Sequence, residues 1–278
     1  MSGASGTVLA LAAAQLAVPR ERITTHIAEA CLRRSRAAAA TFAGSTIGRI
    51  GLRLLERLVL PGITGHYAWR KQRIQAWAEQ AVATGATQVV ILGAGFDALG
   101  QQLALAYPQL RVFELDREAV VTTKWHALRD LGLDLSSQRF IACDLARGVD
   151  AAALDVVPGF DPAARTLVVA EGVLMYLSPR RASVVALQLR RLLTGHVDLV
   201  GTSMSIRRDG SPGFERQSRL VDGWLSRGNE RFRWGMAGDE LASGLVASGL
   251  TGVEVADPLE PGDPDPCPGE LLWRGAFR

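Results

Sequence analysis

The chain's best candidates for chemistry are a glycine turn and four carboxylates spread along its middle. Gly93-Ala94-Gly95-Phe96-Asp97 follows an apolar, β-branched run, QVVILG, at residues 88–93. Glycines at such a point permit a sharp turn and let a ligand approach the backbone, while the helix that follows offers free N–H groups. Asp116 stands 21 residues after Gly95, at the end of a second run, RVFELD. A carboxylate there can accept both hydroxyls of a ribose. Asp144 ends a third run, RFIACD, and Leu145 follows it. The acid suits an adenine amino group, and Leu145 offers a backbone N–H and an apolar face to the ring. Glu171 ends a fourth run, RTLVVAE. Glycine turn, strand and strand-end acid together make a nucleotide-type fingerprint.

Charge narrows the kind of nucleotide. GAGFDA, from Gly93 to Ala98, satisfies the dinucleotide pattern with alanine in third place. A pyrophosphate, however, brings negative charge to the helix N-terminus, where Asp97 would repel it. S-adenosylmethionine has no phosphate, and its sulfonium and ammonium suit an acidic loop. Asp97 alternatively serves only to cap the next helix. A nicotinamide-dependent oxidoreductase stays open on glycine spacing; Asp97 and the Asp144-Leu145 pair disfavour it.

These residues need a scaffold that brings four strand ends together. Strands are expected at residues 88–93, 111–116, 139–144, 165–171 and 196–204, with helices at 97–107, 118–131 and 179–193 between them. That alternation predicts an α/β fold, a parallel, doubly wound sheet whose carboxyl edge gathers the four acids. Glu171 then lies near the switch point beside the first strand. Upstream, residues 1–84 read as a helical extension, with helices at 23–40, 47–60 and 66–84 separated by Pro61-Gly62 and stopped by Gly85. The apolar stretch at 8–18 reads as a helix or ordered arm, well short of the roughly 20 residues a bilayer span needs. Downstream, the polar, Arg-rich segment at about 205–235 reads as a lid inserted over the site. A helix at 237–248 and strands at 252–256 and 271–277, the last antiparallel, complete the second unit, 85–278; a Pro/Gly loop, EPGDPDPCPGE, separates the two strands.

With 278 residues, 48% hydrophobic and 21% charged, the chain has enough apolar material to rule out intrinsic disorder. Of 31 basic residues only Lys71 and Lys124 are lysines, leaving 29 arginines, and the formal charge is +3. The arginines are scattered along the chain, so charge does not call for a nucleic-acid partner. Cys31, Cys143 and Cys267 are far apart, without CxxC or metal-ligand spacing. Neither a disulfide framework nor a metal site is indicated, and a reducing cytoplasm fits.

The segments GATQVVILGAGFDALGQQLA, RVFELD, ACDL and VVAEGVLMYLSP, arriving in that order over residues 66–193, resemble the leucine carboxyl methyltransferase family and its bacterial relatives. The resemblance implies a class I methyltransferase with a Rossmann-like sheet and S-adenosylmethionine as cofactor. It implies that Arg70, in Trp69-Arg70-Lys71, binds the cofactor's methionine carboxylate with its guanidinium fork. Gly93 and Gly95 would line methionine and ribose beside Asp97, Asp116 would hold the ribose hydroxyls, Asp144 and Leu145 adenine, and Glu171 would lie near the amino end. Where the family often has threonine or serine plus arginine after the loop aspartate, this chain has Ala98-Leu99-Gly100. Lys124 matches a family lysine, or equally pairs with Glu118 or Asp130 on its own helix.

For the methyl acceptor, Tyr176 is the candidate catalytic residue, either hydrogen-bonding the acceptor or packing under the lid. Tyr67, Trp69 and His66 precede the arginine; His66 reads more readily as a surface histidine at a helix start. A carboxylate acceptor is already ionised at neutral pH, so transfer to it can rest on positioning without a strong general base. Most arginine pairs read as solvated, with Arg207-Arg208 in the lid as the pair to grip an anionic substrate. Trp224 and Trp234 wall a pocket or staple the lid. The expected function is O-methylation of a small-molecule carboxylate or hydroxyl in secondary metabolism, in the cytoplasm, without a nucleic-acid or membrane partner, by a possible homodimer. The alternatives are methylation of a protein carboxylate or a modified tRNA.

Overall fold

The computed structural model of the protein describes residues 4–17, 22–256 and 267–278. Helices α1 (Gly6–Ala17), α2 (Arg22–Gly44), α3 (Thr46–Val59) and α4 (Ile63–Ala83) come first. The alternating part follows: β1 (Gln88–Leu92), α5 (Leu99–Ala106), β2 (Arg111–Asp116), α6 (Glu118–Asp130), β3 (Gln138–Ala142), α7 (Ala151–Asp155), β4 (Thr166–Ala170), α8 (Pro179–Leu192) and β5 (Val197–Met204). Helices α9 (Arg219–Arg227) and α10 (Gly238–Ala247) precede β6 (Thr251–Ala256) and β7 (Glu270–Phe277).

The strands form one sheet in the order β3-β2-β1-β4-β5-β7-β6. Strands β1 to β5 pair in parallel, and β7 runs antiparallel between β5 and β6. Because β1 neighbours both β2 and β4, the crossovers leave β1 in opposite directions, and a crevice opens at its carboxyl end.

Every residue of β1 and β4 is buried, as strands covered on both faces require. Side-chain alternation sends Val89, Ile91, Leu167 and Val169 against Ile74, Trp77 and Ala78 of α4 and Leu99 and Leu103 of α5. Val90, Leu92, Val168 and Ala170 meet Leu154, Val185 and Leu189 on the other face. Helices α1 and α2 pack beside this sandwich, where Ile27, Ala28 and Leu32 meet Phe96, Val120 and Leu128. Gly100 shows how tight the α5–β2 contact is: a Cβ there would stand 2.1 Å from Glu114 Oε1.

The structure moves several expected boundaries. The helix after the glycine turn begins at Leu99 rather than Asp97, because Asp97 N donates to Ala94 O in the turn itself. β3 stops at Ala142, so Asp144 sits in the turn beyond the strand. α7 and α9 lie where no helix is expected, and Glu270 is the buried first residue of β7 rather than loop. Val18 and most of the EPGDPDPCPGE loop lie outside the described residues.

Candidate active site

The carboxyl edge of the sheet opens into a cleft of about 330 Å³. Arg70, Gly93, Gly95, Asp97, Asp116, Asp144, Leu145, Glu171 and Tyr176 all line it. Topology explains the convergence: β1 to β4 are parallel, so the residues that follow each strand meet at one end.

The glycine turn is fixed by β2. Gly95 N donates to Asp116 Oδ2 (2.8 Å) and Arg117 N to Oδ1 (2.7 Å). Burial pushes the Asp116 carboxyl above its ordinary range, and the two N–H groups pull against that. Gly93 has φ 65°, and a Cβ there would lie 2.7 Å from Val173 Cγ2, so glycine is required on two counts. Asp144 is exposed; it accepts from Ala146 N (3.1 Å) and faces Arg147 (3.5 Å), while Leu145 is buried among the apolar side chains of the α8 face.

At the other end of the cleft, ion pairs link α4 to three acids. Arg70 Nε reaches Glu171 Oε1 (2.8 Å), and Arg70 Nη1 reaches Glu270 Oε2 (2.6 Å). Lys71 Nζ bridges Glu171 Oε2 and Asp97 Oδ2, each at 2.6 Å. Burial opposes ionisation of Asp97, but the Lys71 ammonium and the Leu99 N–H (2.9 Å) outweigh it and hold the carboxyl at about 2. Burial likewise opposes charge on Arg70 and Lys71, and their acid partners push both above their ordinary ranges. Asp97 is thus both a turn-forming acceptor and a charge partner. The acidity that the sequence assigns to the loop is met by Lys71.

His66 is buried rather than exposed: its Nε2 lies 2.9 Å from Glu270 Oε2, between the rings of Trp69 and Phe214 at 5.5 and 5.3 Å. Lys124 pairs with neither Glu118 nor Asp130; it is buried against Glu114 Oε2 at 2.5 Å. Arg207 is held by Ser211, with Asp222 at 3.5 Å, and neither it nor Arg208 lines the cleft. Trp234 Nε1 donates to Leu174 O (3.0 Å), a lid staple, and Trp224 packs against Gly6.

The sequence reading missed several residues at the cleft. Thr7 of α1 donates through its N (2.9 Å) and Oγ1 (2.5 Å) to Glu230, and both line the cleft with Arg233. The Tyr176 ring lies 5.5 Å from Phe232; burial, then the Glu270 and Glu230 carboxylates, push its phenol upward, so it is a neutral donor. Lys71 had a signal in the sequence. The chain has two lysines among 31 basic residues, and each is tied to carboxylates at or beneath the sheet's carboxyl edge, Lys71 to Asp97 and Glu171 and Lys124 to Glu114. Among the described residues no cluster of three or more metal-ligating side chains occurs.

A doubly wound sheet with its glycine turn and strand-end acids around one cleft defines a class I methyltransferase fold. The solved structures that share it include a "putative methyltransferase" from Thermobifida fusca YX, with a TM-score of 0.59, 19% identity, and coverage of 95% of this chain and 94% of that one. The magnesium protoporphyrin IX methyltransferase of Synechocystis PCC 6803 with bound SAH has a TM-score of 0.51 at 14% identity, over 78% of this chain and 85% of that one. At such identities the likeness is one of fold alone. The chain belongs to the leucine carboxyl methyltransferase family, whose sequence pattern matches residues 8–189 and so reaches into the N-terminal helices. A Mycolicibacterium smegmatis protein named as an S-adenosyl-L-methionine-dependent methyltransferase, with the qualifier "putative", is 42% identical over 96 residues, 34% of this chain and 31% of that one. One of the same name from Mycobacterium tuberculosis H37Rv is 39% identical over 97 residues, 34% and 27% of the two chains. The matched stretch therefore spans about a third of these relatives' length.

Proposed function

We propose that the protein is an S-adenosylmethionine-dependent O-methyltransferase that acts on a carboxylate, or less readily a hydroxyl, of a small molecule, in the cytoplasm and in secondary metabolism. The observation that carries this reading is the charge of the cleft wall. Among the charged residues that line it, the carboxylates of Asp97, Asp116, Asp144, Glu171 and Glu230 outnumber by one the cations of Arg70, Lys71, Arg117 and Arg233. A net anionic wall complements a ligand with a sulfonium, an ammonium and one carboxylate, and repels a pyrophosphate. These residues fit S-adenosylmethionine, which when bound supplies an electrophilic methyl group on its sulfonium.

The chain's residues would divide the work. Asp116 would hold the ribose hydroxyls, Asp144 and Leu145 the adenine, Gly93 and Gly95 would let the ligand reach the backbone, and Arg70 with Glu171 would orient its amino-acid end. Tyr176 would donate a hydrogen bond to the acceptor, and Arg233 would meet an acceptor carboxylate. No histidine lines the cleft among the described residues; Asp97 and Glu171 are paired with Lys71, and Asp116 is held by two backbone N–H groups. A carboxylate acceptor needs no proton removed, so such a site serves it better than a hydroxyl.

Calorimetric titration with S-adenosylhomocysteine beside NADH tests the cofactor, and transfer of a labelled methyl group to a panel of small carboxylic acids and phenols tests the acceptor. Binding of S-adenosylhomocysteine alone, with label on the acids, is expected. Binding of NADH alone would overturn the reading.

A further inference from the structure

Helix α3 turns two stripes of opposite character to solvent. It rests on the body through Gly48, Leu52 and Val59. Ile47, Ile50, Leu54 and Leu58 are 78%, 54%, 53% and 78% exposed, and at helical spacing they form one row. Phe42, at the end of α2, extends that row: a Cβ on Gly51 would be 3.7 Å from its ring. Directly beside it runs a second row, Arg49, Arg53 and Arg57, all exposed. The helix's one acid, Glu56, is half-buried and committed, accepting from Thr64 N (3.1 Å) and Thr64 Oγ1 (2.5 Å). The exposed charge of α3 is therefore all positive.

A contiguous apolar row of this kind marks a contact surface rather than ordinary exposure. Its charge border selects the occupant. Two copies packed α3 against α3 would bring arginine rows together with no exposed acid on either helix to meet them. A bilayer with anionic headgroups receives both rows, apolar side chains at the acyl boundary and guanidinium groups at the phosphates. We propose that α3 docks the protein flat on an anionic bilayer, with Ile47, Ile50, Leu54 and Leu58 entering the interface and Arg49, Arg53 and Arg57 gripping headgroups. This departs from the sequence-based expectation of no membrane partner. No helix among the described residues is long and apolar enough to cross a membrane, and docking of this kind needs none.

The C-terminal end of α3 adjoins the lid. Ser218 N, at the start of α9, donates to Val59 O (3.0 Å), and the chain leaves α3 through Pro61-Gly62 into the helix that carries Arg70.

The test is co-sedimentation of the full chain with vesicles of phosphatidylcholine alone or with about a third phosphatidylglycerol, at low and high salt. Binding to the anionic vesicles only, weakened by salt, is expected. Leu54→Ser with Leu58→Ser should lower partitioning at least about tenfold, and Arg49→Ser or Arg53→Ser about fivefold each. Unchanged circular dichroism and urea midpoints of these surface variants would establish that they fold. Failure to sediment with anionic vesicles would overturn the proposal, as would equal binding by the leucine variants. So would a solution dimer, seen by light scattering, that the leucine variants convert to monomer, because a second copy would then own the face.

Discussion

Replacing Glu270 by glutamine isolates the charge that holds Arg70 from beneath. Glu270 is buried, accepts from Arg70 Nη1 (2.6 Å) and lies 2.9 Å from His66 Nε2. Burial raises its pKa, but Arg70 and His66 outweigh that and take it from 4.5 to about 2. A fall of that size corresponds to about 3 kcal/mol of stabilisation, in line with the roughly 3–5 kcal/mol lost when one partner of a buried pair is removed. The folded-state value lies below the unfolded one. The contribution is therefore complete above pH 4.5 and drains away as pH falls toward about 2.

Urea unfolding of wild type and Glu270→Gln, followed by circular dichroism from pH 7 to pH 3, reads this directly. The variant should be about 3 kcal/mol less stable at neutral pH, with the gap closing steadily below pH 4.5. Glutamine keeps the shape and one acceptor oxygen, so a packing defect alone would give a gap independent of pH. A constant gap, or one of less than about 1 kcal/mol at pH 7, would refute the argument that a charge, rather than a filled volume, is at stake.

Asp116→Asn should weaken S-adenosylhomocysteine and adenosine alike, by about ten- to a hundredfold, since both present the ribose hydroxyls to this carboxylate; calorimetry in which only one ligand suffers would contradict the ribose role. Gly100→Ala should cost about 1–3 kcal/mol in urea midpoint analysis, because its Cβ would meet Glu114 Oε1 at 2.1 Å. Arg233→Met should raise the KM of a carboxylate acceptor and leave S-adenosylhomocysteine affinity intact, an expectation that steady-state kinetics and calorimetry check together. Tyr176→Phe should lower kcat with little change in cofactor binding; an unaltered kcat would leave Tyr176 a packing residue under the lid.

What was legible in the sequence was whatever local pattern and topology dictate. QVVIL is apolar throughout because β1 is covered on both faces, and RVFELD ends at Asp116 where β2 ends. Parallel pairing then forces the glycine turn and the acids to one edge, so nine candidate residues share one cleft. What escaped depends on contacts across long stretches of chain. Nothing near His66 signals that Glu270, 204 residues away, buries it. Glu270 itself hides behind a proline-rich run that masks the start of β7. Spacing offered Lys124 helical neighbours as one of two readings, yet its helix turns it inward to Glu114 on β2. The Thr7–Glu230 tie joins α1 to the segment after α9, and neither has a periodicity that names the other.

The family resemblance assigns Arg70 to a cofactor carboxylate, whereas the structure gives it two protein carboxylates, and the shape of the guanidinium reconciles the two. Arginine carries its N–H donors in a planar fork that can serve several acceptors at once. Glu171 takes Nε and Glu270 takes Nη1. The two glutamates thus fix the plane and offset the cost of burying the charge, and under the proposed function an incoming carboxylate would meet the Nη2 donors. Lysine could not do this, since a point charge has no fixed edge to offer. Lys71, next in sequence, has the complementary task, a compact ammonium between Asp97 and Glu171 that ties α4 to the glycine turn. Arginine and lysine side by side on α4 would therefore divide binding from bracing, and exchanging their identities should damage both.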